Sequence, residues 1–350
     1  MKNFFIWAAT AAVVLSGCSN DFDEVSETTE TRSRISMSFT TYVPGMTRLY
    51  EATADSLEYN GFFLRANHHY QDADEYYVDT TMFTAKMDIQ YEGNGPYATS
   101  SWVSEDWTSS PVWPTVVTDT VKFYALYNPQ MSTTEVFSEA LATDDNGAVT
   151  WTPFPDSVGS VDYMAAYTCT TLAESNGEVT LNFKHILAQI QINVIGDSTL
   201  SGYDYQIGGC RIEVPYSGTY NFEEQKFDSA SMSEANTTEV SLDDIGISSG
   251  QFIDDDCAQI DGITISTQEA SEICSMTVFP DTCTFSIGYI AAVEGNARNT
   301  DVQEGSIKFK PVAGCRNIIN ITLSPSVKTM SFSVAVEGWA DANTSYTNPE

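Results

Sequence analysis

Basic residues are scarce: 15 Lys and Arg stand against 48 Asp and Glu in 350 residues, a formal net charge of −33. A chain this acidic carries no electrostatic footprint for a polyanion, which excludes nucleic acid as a partner. Histidine is scarcer still, with three residues: His68, His69 and His185. Neighbouring side chains on a strand point to opposite faces, so His68 and His69 are poorly placed to share a metal. His185 lies inside an apolar stretch and reads as a hydrogen-bonded core residue. GxSxG, HExxH, P-loop and dinucleotide-binding patterns are missing. Carboxylates are abundant, but no pair stands out as a glycosidase couple. Asp254-Asp255-Asp256 lacks EF-hand spacing and reads as a solvated loop. The expectation is a non-enzyme with no catalytic residue, no cofactor and no metal.

Long apolar runs are also missing. The longest, Phe4 to Leu15, is too short for a transmembrane helix, which needs about 20 apolar residues. It follows Lys2 and precedes Ser16-Gly17, the layout of a secretory signal with small residues before its cleavage point. Leu15-Ser16-Gly17-Cys18 resembles a bacterial lipobox. That resemblance implies a lipoprotein signal peptide over 1–17, palmitate-type acylation of Cys18, and a lipid anchor in the outer membrane. Several acyl chains anchor stably, at about 0.8 kcal/mol per buried CH₂. Residues 18–34 are rich in Ser, Thr and Glu with almost no large apolar side chains, so they read as a flexible tether. The six remaining cysteines, Cys169, Cys210, Cys257, Cys274, Cys283 and Cys315, contain no CxxC pair. Six cysteines allow 15 pairings, among which spacing does not choose. Cys283 keeps register with Phe285, Ile287 and Tyr289, which equally suits a small buried hydrophobe.

Charged residues make up only 18% of the chain and apolar ones 42%, enough to build cores and to exclude general disorder. The pattern is one of strands. Ile35, Met37, Phe39, Thr41 and Val43 alternate with small polar residues and Tyr42. The same period of two recurs over Val121–Tyr127, Cys283–Tyr289, Ile319–Leu323 and Met330–Val336. Turn signals such as Gly93-Asn94-Gly95-Pro96, Asp145-Asn146-Gly147 and Ser175-Asn176-Gly177 separate the strands. Helical periodicity is confined to Thr134–Ala142. An all-β chain of two sandwiches is expected, with domains over 35–176 and 177–350. Val179–Ile195 reads as one long strand with apolar residues on both faces.

Val179-Thr180-Leu181-Asn182-Phe183-Lys184-His185-Ile186-Leu187-Ala188-Gln189-Ile190 resembles the central motif of the fimbrillin family, the lipoprotein pilins of type V pili. The lipobox, Thr47-Arg48 after the early strand and Val112-Trp113-Pro114 before Val121-Lys122-Phe123-Tyr124-Ala125 agree with it in order. So do Val161-Asp162-Tyr163-Met164-Ala165-Ala166 and the closing Met330–Trp339 segment. The resemblance implies two tandem transthyretin-like Greek-key sandwiches and assembly with other pilin subunits by strand exchange. In such pilins a trypsin-like protease cuts after an arginine beyond the first strand, and the next subunit's terminal strand fills the vacated groove.

The residues can be matched to those demands. The removable strand is 35–43, with Ile35, Met37, Phe39 and Val43 facing the groove. Of seven arginines, Arg32, Arg34 and Arg48 lie early, and only a cut between Arg48 and Leu49 frees that strand. Read structurally alone, Arg48 is a surface arginine at a strand end. The donor strand lies within 328–339, with Met330, Phe332, Val334 and Val336 as its apolar set. Met330-Ser331-Phe332 repeats Met37-Ser38-Phe39, so the two strands fit one groove in one register. Burying four such side chains contributes about 1.5–3 kcal/mol each before ordering costs. Read structurally alone, the closing strand pairs only within its own domain. The alternative function is a surface glycan-binding lipoprotein whose sugar platforms are exposed aromatics, with Trp102, Trp107 and Trp113 as the nearest cluster. A host protein or glycan is a further expected partner at the cell surface.

Overall fold

The computed structural model describes residues 35–42, 57, 59–71, 77–92, 99–131, 133–144, 147–153, 161–199, 203–215, 217–228, 237–241, 263–293, 302–326, 330–338 and 345–346. The architecture is all-β, as the alternating pattern predicts. In chain order the first strands are β1 (Ser38–Tyr42), β2 (Phe62–Gln71), β3 (Tyr77–Glu92), β4 (Thr99–Val103) and β5 (Thr120–Tyr127). Helix α1 (Thr134–Ala140) leads to β6 (Leu141–Thr143), β7 (Val149–Trp151) and β8 (Met164–Thr171). The short turn α2 (Leu172–Ser175) precedes β9 (Glu178–Asn182), β10 (Lys184–His185) and β11 (Ala188–Gly196). There follow β12 (Tyr203–Pro215), β13 (Tyr220–Asn221), β14 (Lys226–Phe227), β15 (Thr237–Ser241), β16 (Ile263–Ile265) and β17 (Ser271–Val278). The last are β18 (Cys283–Val293), β19 (Val302–Phe309), β20 (Cys315–Leu323), β21 (Ser331–Gly338) and β22 (Ser345–Tyr346).

Among the described residues, three apolar cores organise these strands. In the first, one face of the six-stranded sheet β10-β8-β5-β2-β3-β4 is covered by the two-stranded sheet β1-β9. Phe62, Leu64, Val121, Phe123 and Met164 there meet Met37, Phe39, Val179, Leu181 and Phe183. In the second, Phe63, Tyr124, Leu126 and Ala165 on the other face pack beneath α1 and the four-stranded sheet β14-β13-β7-β6. The third lies between the sheets β17-β11-β20-β21-β22 and β15-β12-β18-β19, around Ile190, Ile192, Tyr205, Phe285, Tyr289, Ile319 and Ile321. Among the described residues no helix is long and apolar enough to cross a membrane.

The stretch predicted as one strand, Val179–Ile195, is divided into β9, β10 and β11. The reason is a change of sheet: β9 pairs with β1 and β10 with β8, whereas β11 pairs with β17 and β20. The ladder breaks at Phe183, whose N–H donates to Tyr42 O at 2.8 Å, and at Ile186, whose N–H donates to Tyr163 O at 3.1 Å. The first set of ladders thus runs past Asn176 to His185, and β13 of the later half returns to pair with β7. Ser175-Asn176-Gly177 is a turn within the first set of strands, with Asn176 in the left-handed conformation at φ 53°. The predicted helix ends at Ala140, because Leu141 is already extended (φ −83°, ψ 133°) and opens β6.

Gly61, at the entrance to β2, has φ +71°, and a Cβ there would lie 2.3 Å from the Met87 carbonyl oxygen. Gly61→Ala is expected to lower stability by about 2–3 kcal/mol, from left-handed strain and backbone displacement. A fall in the urea midpoint at unchanged m-value checks this.

Candidate strand-exchange site

Small polar residues alternate with Met37, just ahead of β1, and with Phe39 within it, so one face of the pattern is wet and the other enters the first core. Met37 and Phe39 are both buried. The Phe39 ring meets Phe123 edge-on at 5.9 Å, Phe83 edge-on at 6.5 Å and Trp107 at a tilt at 6.2 Å. The pairing with β9 is parallel and in register from Ser38↔Glu178 to Tyr42↔Asn182. Ahead of β1, the Met37 N–H donates to Pro111 O at 2.9 Å and the Trp113 N–H donates to Ile35 O at 3.0 Å. The strand therefore occupies a slot with β9 on one side and the 111–113 segment at its entrance.

The other predicted members of this strand behave differently. Ile35 is 47% exposed rather than core-facing, because it precedes the ladder and contributes its carbonyl instead of its side chain. Thr41 is half-buried opposite Leu181. Val43, Arg48, Leu49 and the predicted lipid-bearing Cys18 lie outside the described residues.

Of the predicted donor residues, Phe332, Val334 and Val336 fall on β21, antiparallel to β20, and Met330 directly precedes it. Val336 is buried, and Met330 and Phe332 pack half-buried against the third core. Val334 is 39% exposed although its cross-strand partner Ile319 is fully buried. Packing therefore falls off between β20 and β21. Among the described residues, β22 covers the outer edge of β21 only at Val336 and Glu337, leaving Ser331–Ala335 with a ladder on one side.

The tryptophan cluster does not form a sugar platform. Trp102 and Trp113 are buried and Trp107 is half-buried against Phe39 and Phe83, so all three complete the first core. Large aromatics lose more by exposure than they gain from a rim position.

The histidines are structural. His185 Nδ1 is 2.8 Å from Asp162 Oδ2, both residues buried, as expected of a hydrogen-bonded core histidine. On β2, His68 pairs with Asp119 at 2.8 Å and His69 with Asp79 at 2.7 Å. Among the described residues no three His, Cys, Asp or Glu side chains are grouped to hold a metal ion. Cys283 is buried, and burial pushes its thiol up to about 12, well out of reactive range. Cys169, Cys283 and Cys315 are free thiols.

Sequence reasoning missed a polar network on the second face of the six-stranded sheet. Lys122 Nζ donates to Asp79 Oδ2 at 3.1 Å and to Glu223 Oε1 at 3.2 Å, and the Tyr124 hydroxyl donates to the same Glu223 oxygen at 3.0 Å. Burial lowers the Lys122 ammonium, but the hydrogen bonds it donates to Asp79 and Glu223 outweigh that and hold its pKa above the usual lysine value. Burial, then the Glu223 charge, drives the Tyr124 phenol far above its ordinary range. The alternation of Lys122 and Tyr124 with Val121, Phe123 and Ala125 was the available signal. What it did not supply was Glu223, which arrives from the β13–β14 turn.

A family model described as fimbrillin-like matches residues 69–339. The chain is similar to a fimbrial protein of Bacteroides vulgatus at 14% identity, over 87% of this chain and 99% of that one, with a TM-score of 0.56. It also resembles a candidate cell adhesion protein of Bacteroides ovatus at 13% identity, over 89% of this chain and 100% of that one, with a TM-score of 0.46. The first likeness is one of fold. No curated protein matches the chain.

Proposed function

The chain belongs to the fimbrillin-like family, and on that premise we propose that it is a structural, adhesive subunit of a surface pilus, assembled by protease-triggered strand exchange. One observation carries this reading: among the described residues β1 is one of two strands in the layer that covers the first core, yet it enters that layer from the chain's early end. Its loss would uncover Val179, Leu181, Phe83 and Phe123 as a groove shaped for an alternating strand. A β21-type strand from another subunit presents that alternation, with Met330, Phe332, Val334 and Val336 taking the places of Met37, Phe39, Thr41 and Val43. Cleavage after Arg48 by a trypsin-like protease releases β1. Acyl chains on Cys18 hold the uncut precursor in the outer membrane. The two sandwiches would meet after His185, so that β9 and β10 belong to the first and β11 opens the second. A purely structural role also agrees with the family and with three histidines that are each paired with an aspartate.

The test is direct. Incubate purified precursor with a trypsin-like protease and run a non-boiled gel. The expected result is a ladder of polymers, lost in Arg48→Ala. Unchanged monomer after clean cleavage at Arg48 sinks the proposal.

A further inference from the structure

Three exposed tyrosines, Tyr42, Tyr59 and Tyr77, stand on the described surface, and only Tyr77 is stacked on another ring. It is 71% exposed, yet its ring lies parallel to His69 with centroids 5.1 Å apart and an interplanar angle of 1°. A chain of fixed side chains stands behind it. His69 Nδ1 is 2.7 Å from Asp79 Oδ1, Asp79 Oδ2 accepts from Lys122 at 3.1 Å, and Lys122 is held in turn by Glu223 at 3.2 Å. An exposed ring normally sweeps its rotamers in water and loses that freedom when it binds. Here the orientation is set before any ligand arrives, which lowers the entropic cost of binding on its outer face.

We propose that Tyr77 is the platform of a binding site for neutral carbohydrate at the end of the β2–β3 hairpin. The aromatic face accepts the apolar C–H face of a pyranose, as an amphipathic ring with a polar tip allows. Gln71 is exposed and lies directly across from Tyr77 in the ladder, so the platform stands at the end of a paired hairpin. Strand β4 pairs with β3 only over Asp88–Glu92, so among the described residues the Tyr77 end of β3 is a free edge that offers backbone donors and acceptors as well. Charge selects the class of ligand. The chain carries a −33 charge, and Asp72, Asp74 and Glu75 lie in the sequence between Gln71 and Tyr77, so an anionic sugar is repelled where a neutral one is not. The site is independent of polymerisation, because all its residues lie on one subunit.

The experiment uses the purified monomeric full chain on an array of immobilised oligosaccharides ending in galactose, glucose, mannose or N-acetylglucosamine. Sialylated and sulfated counterparts and an oligolysine peptide accompany them. At least one neutral probe is expected to bind, with affinity falling roughly tenfold or more in Tyr77→Ala and retained in Tyr77→Trp. Asp79→Asn, which loosens the stack without removing the ring, is expected to weaken binding by a few-fold. Melting of Tyr77→Ala stays that of the parent, since the ring is exposed. Failure of every neutral probe, equal binding by Tyr77→Ala, or a preference for the sialylated, sulfated or oligolysine probes overturns the proposal.

Discussion

Phe39→Ala is expected to destabilise the uncut chain by about 3–5 kcal/mol, the range for a fully packed phenylalanine whose site cannot collapse. The magnitude follows from position. Phe39 is 5% exposed and touches Phe83, Trp107 and Phe123, which come from a strand, a loop and a second strand that are anchored elsewhere. None of the three can follow the vacated volume without breaking its own ladder or packing. Since domains are stable by only about 5–15 kcal/mol, this single truncation removes a large part of the margin. Urea unfolding of the two proteins, read at constant m-value, checks it. A change below about 1 kcal/mol would show that β1 adds little to the core, and a groove that loses little when β1 leaves would have no drive to recruit a replacement.

Much of this architecture was legible because strands advertise themselves by period two. Val121–Tyr127, Cys283–Tyr289 and Ile319–Leu323 each lie inside an observed strand, and Met37 and Phe39 face the core as their alternation demands. Legibility failed wherever the deciding contact was distant in sequence. Val179–Ile195 keeps an unbroken apolar pattern, yet it changes partner from β1 and β8 to β17 and β20, and no local residue announces that switch. The three tryptophans looked like candidates for a rim because composition cannot say which face a loop presents; Trp113 is buried beside Gly177, whose carbonyl accepts its indole N–H at 3.3 Å. Tyr77 gave no signal for a related reason. Its stacking on His69 depends on a ladder that sets Gln71 across from Tyr77 and His69 across from Asp79.

The largest functional effect is expected from Val334→Asp, which should leave the monomer folded and abolish the polymer ladder. The sequence treats Val334 and Val336 as equivalent members of one apolar face, but the fold separates them. Val334 is 39% exposed in the monomer, so a carboxylate there stays hydrated and costs about 1 kcal/mol or less. Val336 is 6% exposed beside the buried Asn317, so Val336→Asp strands a charge and should cost about 3 kcal/mol or more in the monomer itself. In the neighbour's groove the proposed alignment sets Val334 where Thr41 now lies, opposite the fully buried Leu181. A carboxylate at that point must shed its water against aliphatic carbon, with no described cation across the strand to receive it. Thermal melts of the uncut variants and non-boiled gels of the cleaved ones therefore separate folding from assembly. Val334→Asp should melt like the parent and form no ladder, whereas Val336→Asp should fail at the first measurement. A normal ladder from Val334→Asp would place the donor strand elsewhere, because a strand that tolerates a charge at its centre is not buried in a subunit-to-subunit groove.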